Sequence, residues 1–83
     1  MTHTIVWEPD VVDLAVRFLD DDPDGLRAVF GSVDALGSDP RPAAAFPLGT
    51  TGLYRLRIGR YRVVYDLDEA AATIKIRHLG RRA

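Results

Sequence analysis

Between Leu53 and Ile58 the chain alternates between apolar and basic, with Tyr54, Leu56 and Ile58 on one parity and Arg55 and Arg57 on the other. A period of two sends neighbouring side chains to opposite faces of an extended strand. The segment therefore reads as a strand with one face in a core and a cationic face outside. Gly59-Arg60 follows at once. Glycine at the first central position is what a two-residue type II′ hairpin turn requires, because that position has positive φ. So short a turn sets the register: Ile58 faces Tyr61, Arg57 faces Arg62, Leu56 faces Val63 and Arg55 faces Val64. Tyr54, Leu56, Ile58, Tyr61, Val63 and Tyr65 then share the core face. A looser turn between Asp68 and Ala72 leads to a further strand from Thr73 to Leu79, with Ile74 and Ile76 inward and Lys75 and Arg77 outward. Pairing Leu67 with Ile74 sets Asp66 opposite Lys75, as a cross-strand ion pair.

A sheet with one apolar face needs a cover, and the first half of the chain supplies it. His3-Thr4-Ile5-Val6-Trp7 is β-branched and aromatic and stops at Glu8-Pro9, which suits a short strand feeding a helix with proline at its first position. Val11, Val12, Leu14, Ala15, Val16, Phe18 and Leu19 fill a wide helical stripe, which predicts a first helix that is mostly core. Asp20-Asp21-Asp22-Pro23 ends it, since a residue before proline is pushed out of the α region, and Asp22 caps a second helix starting at Pro23. Leu26, Val29, Phe30, Val33 and Leu36 form one apolar face of that helix, with Gly37 placed to end it in a left-handed conformation. Residues 38–52 contain Pro40, Pro42, Pro47, Gly49 and Gly52 with little periodicity and read as a connecting loop. The order is β-α-α-β-β-β, an α+β fold with a helical hairpin on one face of a mainly antiparallel sheet, and residues 1–83 make a single domain. A chain of 83 residues buries only roughly 60–70% of its unfolded surface, which excludes a deep interdomain cleft.

The formal charge of −1 conceals a division. Residues 1–39 hold nine acids and two bases, net −7, whereas residues 40–83 hold three acids and nine bases, net +6. Arg55, Arg57, Arg62, Lys75 and Arg77 project from the outer sheet face, Arg60 sits in the hairpin turn, and Arg81 and Arg82 follow the last strand. Arg57 opposite Arg62 is a like-charge pair that costs stability unless an anion lies between them. Guanidinium forks grip phosphate oxygens and stack on bases, so a single-stranded nucleic acid suits this face, and a merely solvated sheet face is the plainer alternative.

Other chemistries are poorly supported. The chain has no cysteine, hence no disulfide, thiolate zinc site or thiol nucleophile. His3 and His78 are isolated, no carboxylates are spaced for acid–base work, and Asp20-Asp21-Asp22 lacks the glycine and distant glutamate of a calcium loop. No metal is expected. Gly49 and Gly52 lack the flanking strand and helix of a phosphate loop. Trp7 and the three tyrosines are expected in the core. No apolar run approaches the about 18 residues of a membrane span, and no basic region precedes an apolar one at the N-terminus. A soluble, cytoplasmic, unprocessed protein is expected.

The run Gly52-Leu53-Tyr54-Arg55-Leu56-Arg57-Ile58-Gly59-Arg60-Tyr61-Arg62-Val63-Val64-Tyr65, followed by Ile76 to Leu79 and Gly80-Arg81-Arg82, resembles the RelE/ParE superfamily of toxins from bacterial type II toxin–antitoxin pairs. The preceding strand and helix pair match that family's fold order, so the resemblance spans nearly the whole chain. RelE-like members enter the ribosomal A site and cut mRNA, with the 2′-hydroxyl attacking the adjacent phosphate and no cofactor required. The resemblance implies that Arg55 and Arg57 lie near the nucleophile, that Arg62 stabilises the phosphorane, and that Arg82 aids charge stabilisation and protonation of the leaving oxygen. Arg60, Lys75, Arg77 and Arg81 are then expected to bind RNA. Arg55 and Arg57 stand where well-known ribonucleases of the group carry lysines. A guanidinium is a poor general base, so either a base comes from elsewhere or these arginines only position and neutralise. Many RelE-like toxins carry a functional tyrosine in a segment that would follow Ala83.

The implied partners are a cognate antitoxin and the ribosome with its mRNA. An acidic or amphipathic segment of the antitoxin is expected to wrap the toxin, covering the arginine face or displacing the C-terminal end. Two other readings compete: a ParE-like inhibitor of DNA gyrase that performs no nuclease chemistry, and a degenerate homologue that binds its antitoxin and harms nothing.

Overall fold

The computed structural model describes residues 2–82. The elements run β1 (Thr4–Trp7), α1 (Pro9–Asp21), α2 (Pro23–Ala35), β2 (Ala45–Pro47), β3 (Leu53–Ile58), β4 (Tyr61–Asp68) and β5 (Thr73–Arg81). One sheet is formed in the order β1-β5-β4-β3-β2. Its neighbours are antiparallel except for β1, which lies parallel to β5. The β3–β4 hairpin has the register that alternation and the turn require, with Arg57 opposite Arg62 and Leu56 opposite Val63. Gly59 carries a φ of 57° while Arg60 stays at negative φ, as a type II′ turn demands.

Both helices start where the prolines permit: Pro9 and Pro23 occupy first-turn positions, and the Gly25 N–H donates to the Asp22 Oδ1 cap at 3.1 Å. Leu26, Val29 and Val33 of α2 and Leu36 just beyond it are fully buried, in one cluster with Val63 and Ile74 of the sheet. Each such side chain contributes about 1.5–3 kcal/mol relative to an exposed one. The α1 stripe is wider than the contact it makes. Only Val11 and Ala15 of this helix are buried, and Val12, Val16 and Leu19 face solvent, so α1 is less of a core helix than its composition predicts. Among the described residues no helix is long and apolar enough to cross a membrane.

Three further local expectations are corrected. The second helix does not end in a left-handed glycine: Leu36 caps it in the right-handed region, and the Gly37 carbonyl instead accepts a 2.7 Å bond from the His3 N–H. A Cβ on Gly37 would sit 3.3 Å from the carbonyl oxygens of Asp34 and His3, so close approach explains this glycine. The 38–52 segment is not all loop, because Ala45–Pro47 pairs with Tyr54–Leu56 as an edge strand. Three residues are too few to show alternation, and a proline is tolerated at an edge. Finally, Asp66 does lie opposite Lys75, but its carboxylate accepts from Arg77 at 3.0 Å.

Candidate functional site

An irregularity in β5 decides which basic side chains meet. Tyr65 pairs with Ile76 and Val64 with His78, leaving Arg77 as the extra residue of a β-bulge. Unbroken alternation from Ile74 and Ile76 would carry Leu79 and Arg81 outward. The bulge reverses the parity. Leu79 is buried in the core. Arg81 turns to the helix side, where its guanidinium lies 4.6 Å from the Phe18 ring centroid and pairs with Asp21. Arg82 turns to the outer face, and its N–H donates to the Arg60 carbonyl at 2.7 Å, so that the end of β5 is held beside the hairpin turn.

On that outer face Arg82 joins Arg55, Arg57 and Arg62 around a hollow of about 180 Å³, completed by Ala44 and Phe46. Strand geometry brings them there: Arg55 and Arg57 share the outward parity of β3, and Arg62 stands directly across from Arg57. Phe46 on β2 stands across from Arg55, whose guanidinium lies 5.7 Å from the ring centroid. Among the described residues no carboxylate lies within ion-pair distance of any of these four guanidiniums. No carboxylate or imidazole lines the hollow either. Four like charges converging without a counter-ion create a strongly positive local potential, which favours an anion and supplies no proton acceptor.

The other four basic residues singled out in the sequence lie elsewhere. Arg77 is held between Glu8 at 3.2 Å and Asp66 at 3.0 Å. Arg60 reaches Asp22 at 3.3 Å and lies over the Tyr61 ring, and Arg81 is tied to Asp21. Lys75 lines a separate groove together with Asp66, Asp68 and Glu69. Three of the four thus connect the acidic first half of the chain to the basic second half. The two histidines are not brought together: His3 Nε2 lies 2.8 Å from Glu69, while His78 sits on β5 opposite Val64. Among the described residues no cluster of three histidine, aspartate or glutamate side chains is arranged to hold a metal. Ala44 and Phe46 line the hollow without having been anticipated from the sequence, and of the two Phe46 carries the larger side chain. Its one signal was an aromatic residue in an otherwise small, proline- and glycine-rich stretch.

No family model matches the sequence, and no curated protein matches it. Solved structures do. The chain superposes on the archaeal RelE–RelB complex from Pyrococcus horikoshii with a TM-score of 0.84 and 30% identity, covering 100% of this chain and 98% of that one. It is also similar to the RelBE2 toxin–antitoxin complex of Mycobacterium tuberculosis, with a TM-score of 0.82, 22% identity, and coverage of 99% of this chain and 100% of that one. The intact E. coli RelBE toxin–antitoxin complex gives a TM-score of 0.79 at 14% identity, covering 98% of each chain.

Proposed function

We propose that this protein, which belongs to the RelE/ParE superfamily of toxins from type II toxin–antitoxin systems, is a ribosome-dependent mRNA endoribonuclease. One observation carries the reading: four guanidiniums without a carboxylate partner among the described residues surround a single hollow on the outer sheet face. A phosphodiester is an anion that converging guanidinium forks can grip through its oxygens.

In this reading the 2′-hydroxyl oxygen of one nucleotide forms a bond to the adjacent phosphorus while the bond to the 5′-oxygen of the next nucleotide breaks. The products are a 2′,3′-cyclic phosphate and a 5′-hydroxyl. The charge that develops on the phosphorane oxygens meets Arg57 and Arg62 from opposite strands, and fixed cations at that point stabilise the transition state more than the ground state. Arg55 orients the ribose and stabilises the 2′-oxygen as it loses its proton, and Arg82 stabilises the charge on the leaving 5′-oxygen, which takes its proton from water or from the ribosome. The hollow has no residue that accepts a proton at neutral pH, so the 2′-hydroxyl proton passes to water or to a group the ribosome provides. The arginines at positions 55 and 57 act by charge and position, not as bases.

The relatives crystallised with RelB support a cognate antitoxin as the partner; in this reading it blocks the toxin by covering the arginine hollow or by displacing the end of β5. The test is transcript-end mapping after induction without antitoxin, run beside a gyrase supercoiling assay. Cleavage within translated codons is the expected result. Intact transcripts with inhibited gyrase would replace this reading with the ParE-like one, and harmless expression of folded protein would replace both.

A further inference from the structure

We propose that Phe46 is a stacking platform for one nucleobase of the RNA strand whose phosphate the neighbouring arginines hold. This rests on the ribonuclease reading above and adds the base-contacting residue to it. Phe46 is 59% exposed, the only aromatic among the exposed large apolar side chains of the described residues. A solitary exposed apolar side chain is ordinary on any protein, so exposure alone would say little. Its position is what matters. The ring lines the same hollow as the four guanidiniums, it lies on β2 at the outer end of the sheet order, and the Arg55 guanidinium lies against it at 5.7 Å.

Arg55 therefore belongs to both features. A phosphate seated among Arg55, Arg57, Arg62 and Arg82 carries its attached nucleoside toward the β2 edge, where the Phe46 ring offers a π face flanked by a cation. Bases stack on such a surface whatever their identity, because every base has a π face, and a neighbouring guanidinium adds cation–π attraction. This predicts affinity for single-stranded RNA with little sequence preference from this chain alone. Stacking also holds the ribose, and with it the 2′-oxygen, at a defined distance from the phosphate the arginines grip.

The experiment titrates the full chain and three variants, Phe46→Ala, Phe46→Trp and Arg62→Ala, with two labelled probes. One is a 2′-O-methyl heptaribonucleotide, uncleavable because its 2′-oxygens are capped, and the other is the same backbone without bases. The wild-type protein is expected to bind the base-bearing strand about five- to tenfold more tightly than the abasic one, the scale of a single aromatic stack. Phe46→Ala removes this preference, Phe46→Trp keeps or enlarges it, and Arg62→Ala weakens both strands alike. An unchanged preference in Phe46→Ala overturns the proposal and leaves the RNA reading intact. The same variant binding both strands like wild type while losing a protein partner assigns the ring to that partner and also overturns it. Failure of the wild-type protein to bind either strand overturns the stacking role, while transcript-end mapping decides the ribonuclease reading separately.

Discussion

The Asp22 carboxylate accepts hydrogen bonds from the Tyr61 hydroxyl at 2.8 Å and the Gly25 N–H at 3.1 Å, and it faces Arg60 at 3.3 Å. The Tyr61 bond is the leading reason its carboxyl is held below the ordinary aspartate value, followed by the Gly25 bond. A depressed folded value means that the native state binds fewer protons than the unfolded chain. The stability it provides is present above the ordinary carboxylate range and is lost as pH falls through it. Asp22→Asn should lower the denaturation midpoint at neutral pH and make the loss of stability on acidification shallower than in wild type, both read from urea melts across pH. Tyr65 shows the opposite sign at the alkaline end. Burial pushes its hydroxyl from 10.0 up to about 12, and it donates to the Pro40 carbonyl at 2.6 Å. Here the native state holds its proton longer than the unfolded chain, so stability is full below the ordinary tyrosine value and falls as pH rises from there toward the folded one. Tyr65→Phe should remove that alkaline decline. In the hollow, Arg62→Ala should reduce RNA cleavage by about 10²–10³-fold, the cost of losing one fixed transition-state charge. Its melting temperature should stay close to wild type, because Arg62 is exposed.

Turns and bulges are where the elements depart from periodicity. Hairpin β3–β4 was legible because alternation and a glycine in the turn specify one register together, and the structure has that register. The turn before β5 contains a less comfortable residue: Ala72 adopts a φ of 50°, in the left-handed region. Such a conformation costs a residue with a Cβ about 1–2 kcal/mol, partly offset by the flexibility glycine adds to the unfolded chain. Ala72→Gly should therefore raise the melting temperature by a few degrees. Gly52→Ala should do the reverse, since φ is 89° there and an added Cβ would come within 2.8 Å of the Leu67 carbonyl oxygen. Differential scanning calorimetry on the pair checks both signs. The bulge at Arg77 was not legible. Nothing in Ile76-Arg77-His78-Leu79 marks the extra residue, and only burying Leu79 against the core selects it. Strand β2 was hidden for a related reason, as an edge strand of three residues acquires its identity from its neighbour β3.

Across the whole molecule, the −7 and +6 halves do not simply solvate opposite faces. Glu8, Asp21 and Asp22 from the first half bind Arg77, Arg81 and Arg60 from the second, and four guanidiniums left without a carboxylate among the described residues collect at the hollow. RNA affinity should accordingly fall with salt at a slope of about −0.7 in log–log terms for each phosphate engaged. Arg57→Ala should make that slope shallower by about 0.7, the release of one phosphate contact. Arg77→Ala should leave it nearly unchanged, because that guanidinium is already held between two carboxylates. Titrations over a series of salt concentrations distinguish the two. By itself the sequence determined the strand pairing of β3 with β4, the capped helical hairpin, and the outward parity of Arg55, Arg57 and Arg62, because each follows from local periodicity and turn stereochemistry. Only the tertiary structure decided that Arg82 joins them while Arg81 does not, that Phe46 completes the hollow, and that Arg60, Arg77 and Arg81 are tied internally. The physical reason is that face assignment beyond a bulge, and the choice of ion-pair partner among many charges, depend on packing between segments distant in the chain.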